Sequence, residues 1–313
     1  MQFCTEFARR HEIDAERNYW IMKPAGSSRG RGIFVFNDIG AVSYTECVIV
    51  QRYIERPLLI DGYKFDLRLY VCVTSMNPLE AFLYREGFTR LSSEPYSTHP
   101  RDMANRFIHL TNSSINRHNT NQIQQQQIKA RGELSGGSKC SLKYLQGRMR
   151  DMNLDWNVMW NQIILVVLKT LYCVQDEITQ SANSFELFGF DVLLDSDLKA
   201  WLIEVNSSPS LSRDNDLDHE IKDKMVHDTL LLASPPAFDR DLLSELLQKR
   251  IGERSKSRWN VDKDLPSKLH EVLRGIEPRA YGAEPANMGN YQRIAPSPAW
   301  DDITRLFKKI NKK

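Results

Sequence analysis

The chain has little of what marks a secreted, membrane-spanning or thiolate-metal protein. Its five cysteines, Cys4, Cys47, Cys72, Cys140 and Cys173, form no CxxC and show no Cys/His ligand spacing. That pattern argues against a zinc site and fits a reducing compartment. Long apolar runs are missing: the longest, Ile163 to Leu171, is far too short to cross a bilayer. The N-terminus carries Glu and Arg where a signal peptide needs an apolar core. An intracellular chain with no membrane partner is therefore expected. An excess of one charge is missing too, since 42 basic residues meet 40 acidic ones for a net charge of +2. An acidic partner would have to be met by a local patch. No zinc finger or aromatic RNA platform is present, so no nucleic-acid partner is expected. The P-loop pattern GxxxxGK[ST] is also absent.

What is present suffices for a substantial core. At 313 residues and 41% hydrophobic content, the chain should be globular and divide into two or more domains. Its most informative stretch is FELFGFDVLLDSDLKAWLIEVNSSPSL, residues Phe185 to Leu211. Two strand-like runs, Phe188 to Leu194 and Ala200 to Val205, flank the polar turn Asp195 to Lys199 and read as a hairpin. Asp191 lies in the first strand, and Glu204 and Asn206 close the second. Three oxygen-bearing side chains can thus meet at one end and hold a hard cation; a plain hairpin with exposed acids is the alternative.

Ahead of it, Tyr19 to Met22 reads as a short strand ending on Lys23, followed by a loop of small residues, Gly26 to Gly32, and the strand Ile33 to Phe36. Such a loop can fold over phosphates, offering backbone N–H groups while Lys23, Arg29 and Arg31 supply charge. A simple Gly/Ser/Arg turn is the competing description. CVIVQRYI, Cys47 to Ile54, is a strand rich in β-branched residues whose edge suits an adenine or equally a ligand-free core. In KFDLRLYVCVT, Lys64, Asp66, Arg68 and Tyr70 fall on one face, and Phe65, Leu67, Leu69 and Val71 on the other. The polar face can line a cleft or be merely solvated. Pro78 to Tyr84 reads as the next strand, bringing Arg85 and Arg90 nearby. In FIHLTNSSIN, Thr111 and Asn112 can reach a phosphate or a metal-bound water, or cap the next segment.

The rest reads as scaffold. Residues 1–19 read as a solvated helix, and residues 117–139, with Gln124 to Gln127 and a Gly-Gly pair, as a mobile low-complexity loop. Leu142 to Met149 and Trp156 to Val174 carry core helices. Asp214 to Ala233 reads as a helix packing Ile221, Met225, Val226 and Leu230, bounded by Pro235 and Pro236. Residues 237–313 alternate helical patterns with Gly/Pro links and end on Lys308, Lys309, Lys312 and Lys313.

In their order, WIMKPAGSSRGRGIF, VIVQRYIERPLLIDGYKFDLRLYVCVT, YREGFTR, HLTNSSIN, GGSKCSL and the hairpin stretch resemble the tubulin tyrosine ligase-like family of ATP-grasp amino-acid ligases over roughly residues 19–232. The resemblance implies an α+β, ATP-grasp fold: a truncated N-terminal and central portion in 1–60, a C-terminal ATP-grasp domain in 61–233, and a helical, basic extension in 234–313. It also implies ATP and Mg2+. By resemblance Lys23, Arg29, Gly30, Arg31 and Gly32 bind phosphate, Arg31 standing where many members have lysine, an exchange that keeps charge but changes geometry. Gln51, Arg52, Tyr53 and Ile54 are similar to the adenine linker, Lys64 and Asp66 to nucleotide-binding positions, and Thr111 and Asn112 to residues facing the triphosphate. Asp191, Glu204 and Asn206 correspond to magnesium ligands. Arg68 and Arg90 would hold the acceptor carboxylate, the acyl phosphate or the incoming amino acid.

KFDLRLYV resembles the glutamate-adding branch; tyrosine- and glycine-adding members usually show KFDIR followed by serine or glutamine and an aromatic residue. The resemblance thus implies a monomeric polyglutamylase joining free glutamate to the acidic tails of tubulin in microtubules, in the cytoplasm and cytoskeleton, including cilia, flagella or basal bodies. Only about twenty residues precede Lys23, so the N-terminal domain of ATP-grasp ligases is expected to be missing or truncated. The alternatives are a glycine ligase of the same family, an inactive truncated paralogue that binds microtubules, and a small-molecule carboxylate–amine ligase.

Overall fold

The computed structural model describes residues 2–14, 17–26, 30–42, 47–116, 138–179, 184–234, 239–254, 264–274 and 279–310. In chain order the elements are α1 (Gln2–Ile13), β1 (Trp20–Pro24), β2 (Phe34–Phe36), β3 (Val48–Arg52), β4 (Leu59–Ile60), β5 (Tyr63–Ser75), β6 (Glu80–Leu91), α2 (Arg106–His109), α3 (Ser113–Asn116) and β7 (Lys139–Ser141). They continue with α4 (Leu142–Asp151), α5 (Trp156–Val174), β8 (Glu186–Leu194), β9 (Ala200–Asn206), α6 (Asp216–Ala233), α7 (Arg240–Arg254), α8 (Leu265–Arg274), β10 (Tyr291–Ala295) and α9 (Pro298–Ile310). Strands and helices follow one another without a repeating βαβ unit, which makes this an α+β chain.

Two antiparallel sheets result. The small one runs β2-β1-β3. The large one runs β10-β6-β5-β8-β9, with β4 against β5 and β7 against β6. The alternation in β5 sets how the large sheet is covered. Phe65, Leu67, Leu69, Val71 and Val73 face Leu145, Met149, Met159, Ile163 and Val167 of α4 and α5 in the main core. On the opposite face Tyr70 and Cys72 join Phe82, Tyr84 and Phe88 under Leu217, Ile221 and Met225 of α6. That second face changes character along its length, from apolar beneath α6 to charged at Lys64, Asp66 and Arg68.

Helix starts follow capping chemistry. Ser141, Asp155 and Asn215 accept backbone N–H groups at the heads of α4, α5 and α6, and Asp216 and Asp218 add negative charge to the first turn of α6. By length and composition α5 is apolar enough to cross a bilayer, yet seven of its side chains, from Met159 to Leu171, are buried.

Several expectations change. The N-terminal helix is not wholly solvated: Phe7 is buried, and Phe3 and Phe7 pack on Trp20 of the small sheet, the Phe3 and Trp20 rings 5.0 Å apart. The arginine-flanked segment after Tyr84 continues β6 itself. Of the expected loop 117–139, residues 117–137 lie outside the described residues, whereas Lys139 opens β7. Leu230 is 52% exposed, not packed. The 234–313 region is not only helical, because β10 extends the large sheet by pairing Tyr291 with Tyr84. Trp300 and Ile303 of α9 then enter the main core. Glu80 of β6 clamps the same segment through Arg279 Nη1 at 2.8 Å, with Thr74 Oγ1 donating at 2.6 Å.

Two outcomes are expected. Ile303→Ala should lower unfolding free energy by about 2–4 kcal/mol through the cavity it leaves, and an unchanged urea midpoint would show that α9 is not part of the core. Burial alone would raise the Glu80 carboxyl, but Arg279, Thr74 and the Gly282 N–H hold it below its ordinary 4.5. A lowered folded value means that the unfolded chain binds the proton more readily. Glu80 therefore contributes stability above pH 4.5 that is lost as the medium acidifies. Glu80→Gln should be less stable at pH 7 and lose less on acidification, as read by urea titrations across pH 3–7.

Candidate nucleotide and metal site

The charged end of the large sheet is organised by strand register. Residues directly opposite in an antiparallel pair share a face. The pairing sets Lys139 opposite Arg90, Arg90 opposite Asp66, Arg68 opposite Asp191, and Asp191 opposite Glu204. One row of charge thus crosses β7, β6, β5, β8 and β9 on a single face.

The centre of the row is closed by hydrogen bonds. Arg68 Nε and Nη2 donate to the two Asp191 oxygens at 2.5 and 3.1 Å. Arg90 Nη2 donates to Asp191 at 2.7 Å, and its Nε and Nη2 donate to Asp66 at 2.5 and 2.8 Å. The Thr111 hydroxyl also donates to Asp66. Asp66, Arg90, Thr111 and Asp191 are all buried. Burial would raise the Asp191 carboxyl, but Arg90 and Arg68 hold it below its ordinary value. Both arginines assigned by resemblance to substrate carboxylates thus grip carboxylates of the protein.

The outer end carries the opposite imbalance. Glu204 is exposed on β9, yet its carboxyl is raised above its ordinary range, by partial desolvation first and then by the neighbouring Asp191 carboxylate. Asn206 Nδ2 approaches Glu204 Oε1 at 3.4 Å and the Gly189 carbonyl at 3.3 Å. Two adjacent carboxylates and an amide form an all-oxygen donor set, the chemistry a hard cation needs. Among the described residues no group of three or more His, Cys, Asp or Glu could hold a metal, so such a cation would depend on Asn206 as well as on the two acids.

The small sheet supplies the facing wall. Lys23, near the end of β1, is lowered by burial and opposed by the charge of Glu204. Lys64 is buried, and burial first, with the charge of Lys23 adding to it against that of Asp66, brings it down to about 8. Its Nζ donates to the Tyr53 hydroxyl at 3.0 Å and the His109 carbonyl at 2.9 Å.

The described end of the glycine loop, Gly30 to Gly32, has Gly30 against α2 and α3. Gly30 and Gly32 have φ of +74° and +71°, left-handed values that favour glycine. A Cβ on Gly30 would lie 2.4 Å from Ile115 Cδ1 and 3.1 Å from Asn112 Oδ1, so only glycine admits this approach. Arg106 Nη2 fixes the loop by donating to the Gly30 carbonyl at 2.8 Å. Arg31 is exposed, and Arg29 lies outside the described residues. Gln51 and Arg52 are exposed on β3, the edge strand of the small sheet; Tyr53 is buried and Ile54 half-buried.

Residues from Lys23 to Asn206 are therefore brought to one region: Lys23, Lys64, Asp66, Arg68, Arg90, Thr111, Asp191, Glu204 and Asn206. Sequence reading gave no role to Lys139, whose Nζ donates to the Asp218 oxygens at 2.7 and 2.6 Å, or to the side chain of His109. Lys139 was hidden by the low-complexity run ahead of it.

Two antiparallel sheets presenting lysines, a glycine loop and oxygen donors to one another form the layout of an ATP-grasp-like domain. The chain belongs to the tubulin-tyrosine ligase family, whose model matches residues 2–242. It is 39% identical over 224 residues to a human protein named probable tubulin polyglutamylase TTLL2, covering 72% of this chain and 37% of that one. It is 32% identical over 305 residues to human tubulin polyglutamylase TTLL13, covering 92% and 36%. To the Danio rerio tubulin polyglutamylase ttll6 it is 34% identical over 312 residues, covering 92% and 38%. The chain thus spans well under half the length of these relatives.

The depressed Lys64 gives an expected pH signature. Between about pH 8 and 10.5 the unfolded chain holds a proton that the folded chain has released, so the Lys64 contribution to stability rises with pH. Relative to Lys64→Met, the wild type should gain up to about 3 kcal/mol across that window. Parallel pH profiles of the two denaturation midpoints would count against a buried Lys64.

Proposed function

We propose that this chain is the ligase part of an ATP-dependent tubulin polyglutamylase. The observation that carries the proposal is the convergence of Lys23 and Lys64 with Asp191, Glu204 and Asn206 on one cleft, in a family whose similar members are named tubulin polyglutamylases. ATP lies between the sheets, with its adenine along the Gln51–Ile54 edge. Its phosphates meet Lys23, Lys64 and the N–H groups of the loop containing Arg29, Gly30, Arg31 and Gly32. Asp66, Thr111 and Asn112 line the nucleotide side. Asp191, Glu204 and Asn206 would hold Mg2+, which when bound neutralises charge on the β- and γ-phosphates.

A carboxylate is a poor acyl donor. The γ-phosphoryl group therefore passes first to an acceptor glutamate, giving an acyl phosphate and ADP. The amine of free glutamate then attacks the acyl carbon, phosphate leaves with the C–O electron pair, and an amide forms. Arg68 and Arg90 sit where they can orient these anions only while shared with Asp191. Arg68 is the more exposed of the two side chains. The acceptor is an acidic tail of tubulin, placing the protein on the cytoskeleton, and the ligase part acts as a monomer.

With tubulin, ATP, magnesium and glutamate, the expected result is glutamate-dependent ADP release and tubulin gaining mass in glutamyl steps. Glu204→Gln should cut the rate roughly a hundredfold or more, since several kcal/mol of charge stabilisation goes with the metal. Activity unchanged in that variant would remove the metal assignment. Mass gain with glycine instead would make the protein a glycine ligase, and microtubule binding without ADP release would make it a non-catalytic relative.

A further inference from the structure

Beneath the nucleotide side of the cleft lies a buried polar chain linking the small sheet, β5 and α2. Its direction can be read from its end. His109 Nε2 is 3.1 Å from the Asp102 backbone carbonyl. A carbonyl only accepts, so Nε2 carries the ring proton. Burial first, and the Lys64 charge next, push His109 down to about 4, so the imidazole is neutral and Nδ1 is bare. Nδ1 lies 3.0 Å from the Tyr53 hydroxyl, and with Nδ1 bare the hydrogen bond between them runs from Tyr53 to His109. The Tyr53 oxygen is then left to accept from Lys64 Nζ at 3.0 Å. The Tyr96 hydroxyl spends its own proton on the Glu55 carbonyl at 2.7 Å; towards Tyr53 it can act only as a second acceptor beside Nδ1, so it cannot reverse the chain. The His109 carbonyl takes a second Lys64 proton at 2.9 Å.

Resting on the nucleotide reading above, we propose that Tyr53 and His109 are positioning residues: a one-way relay, Lys64 to Tyr53 to His109 to the Asp102 carbonyl, that aims the third Lys64 proton at a nucleotide phosphate. An ammonium has three donors and turns freely on a flexible stem. Tying two of them to fixed acceptors leaves one direction for the third. Tyr53 thereby acts through Lys64, although it belongs to the segment similar to the adenine linker. The ring of Tyr53 adds to the hold, lying 4.5 Å from Nζ. The neutral tautomer is essential, because a His109 protonated at Nδ1 would donate to Tyr53 and turn its hydroxyl proton towards the lysine.

The test is isothermal titration of the full chain with the magnesium complex of a non-hydrolysable ATP analogue. Tyr53→Phe deletes the middle of the relay and is expected to weaken binding about tenfold or more, the scale of one hydrogen bond to a charged group. His109→Asn keeps an acceptor at the Nδ1 position and should bind within about twofold of wild type. His109→Gln places its amide at the Nε2 position, loses that acceptor, and should behave like Tyr53→Phe. A merely structural histidine would not rank Asn above Gln. Thermal unfolding of each variant shows whether it is folded, and the Asn/Gln comparison stands if Tyr53→Phe is not. Undiminished binding in Tyr53→Phe, or equal binding by the two His109 variants, overturns the relay alone. No binding by the wild type overturns the nucleotide reading and the relay with it.

Discussion

The Asp191 carboxylate, gripped by Arg68 and Arg90, is the contact on which the rest of the site depends. Asp66, Arg90 and Asp191 are buried, with relative exposures of 4, 8 and 1%. Charges taken so far out of water are tolerated only when paired and fully hydrogen-bonded. The pairs are made across strands, Asp66 with Arg90 and Arg68 with Asp191, so they exist in a single register. A slip of one residue in β5 would send Asp66 and Arg68 into the apolar core and turn Phe65 and Leu67 out of it. The apolar face and the charged face specify the same alignment of β6, β5 and β8, and removing either leaves the other in conflict.

That dependence explains what could be read from the amino-acid order. The alternation of KFDLRLYV places Lys64, Asp66 and Arg68 on one face, and the structure keeps them there. The hairpin of β8 and β9 was equally local, its turn set by Asp195 to Lys199. Partners were another matter. Arg68 and Asp191 are 123 positions apart and Arg90 and Asp191 are 101 apart, and periodicity within a strand says nothing about which distant strand lies beside it. An arginine reserved for substrate and one that neutralises a buried aspartate look alike in sequence. The same reasoning covers β10: five residues after a Gly/Pro-rich link carry no helix or strand pattern of their own, and their conformation is decided by the open edge of β6.

His109 shows a different limit. Its segment, FIHLTNSSIN, is dense in small polar groups, which drew attention to Thr111 and Asn112. Yet Thr111 spends its hydroxyl on Asp66, and it is the histidine two residues earlier that reaches Tyr53, just after β3 of the small sheet. The two-residue spacing is not strand alternation here, because α2 ends at His109 and an extended Leu110 turns the chain. Sequence spacing alone could not tell which side chain would point into the gap between the sheets.

The electrostatics of that gap are divided. Desolvation destabilises the charge of Lys23 on the small sheet and of Lys64 in β5, and partial desolvation beside Asp191 destabilises the charge of Glu204 at the outer strand of the large sheet. Each region holds charge that an occupant of opposite sign would relieve. Lys23 and Glu204 interact across the space but do not neutralise it: the lysine stays depressed and the glutamate stays raised. An anion alone would relieve the lysines and worsen Glu204; a cation alone would do the reverse. A polyphosphate with a divalent cation on its far oxygens satisfies both at once, with the anion against the two lysines and the cation against the carboxylates. The proposed magnesium–ATP complex has this polarity. It follows that nucleotide and metal should assist one another in binding, because each removes a repulsion that the other would otherwise meet.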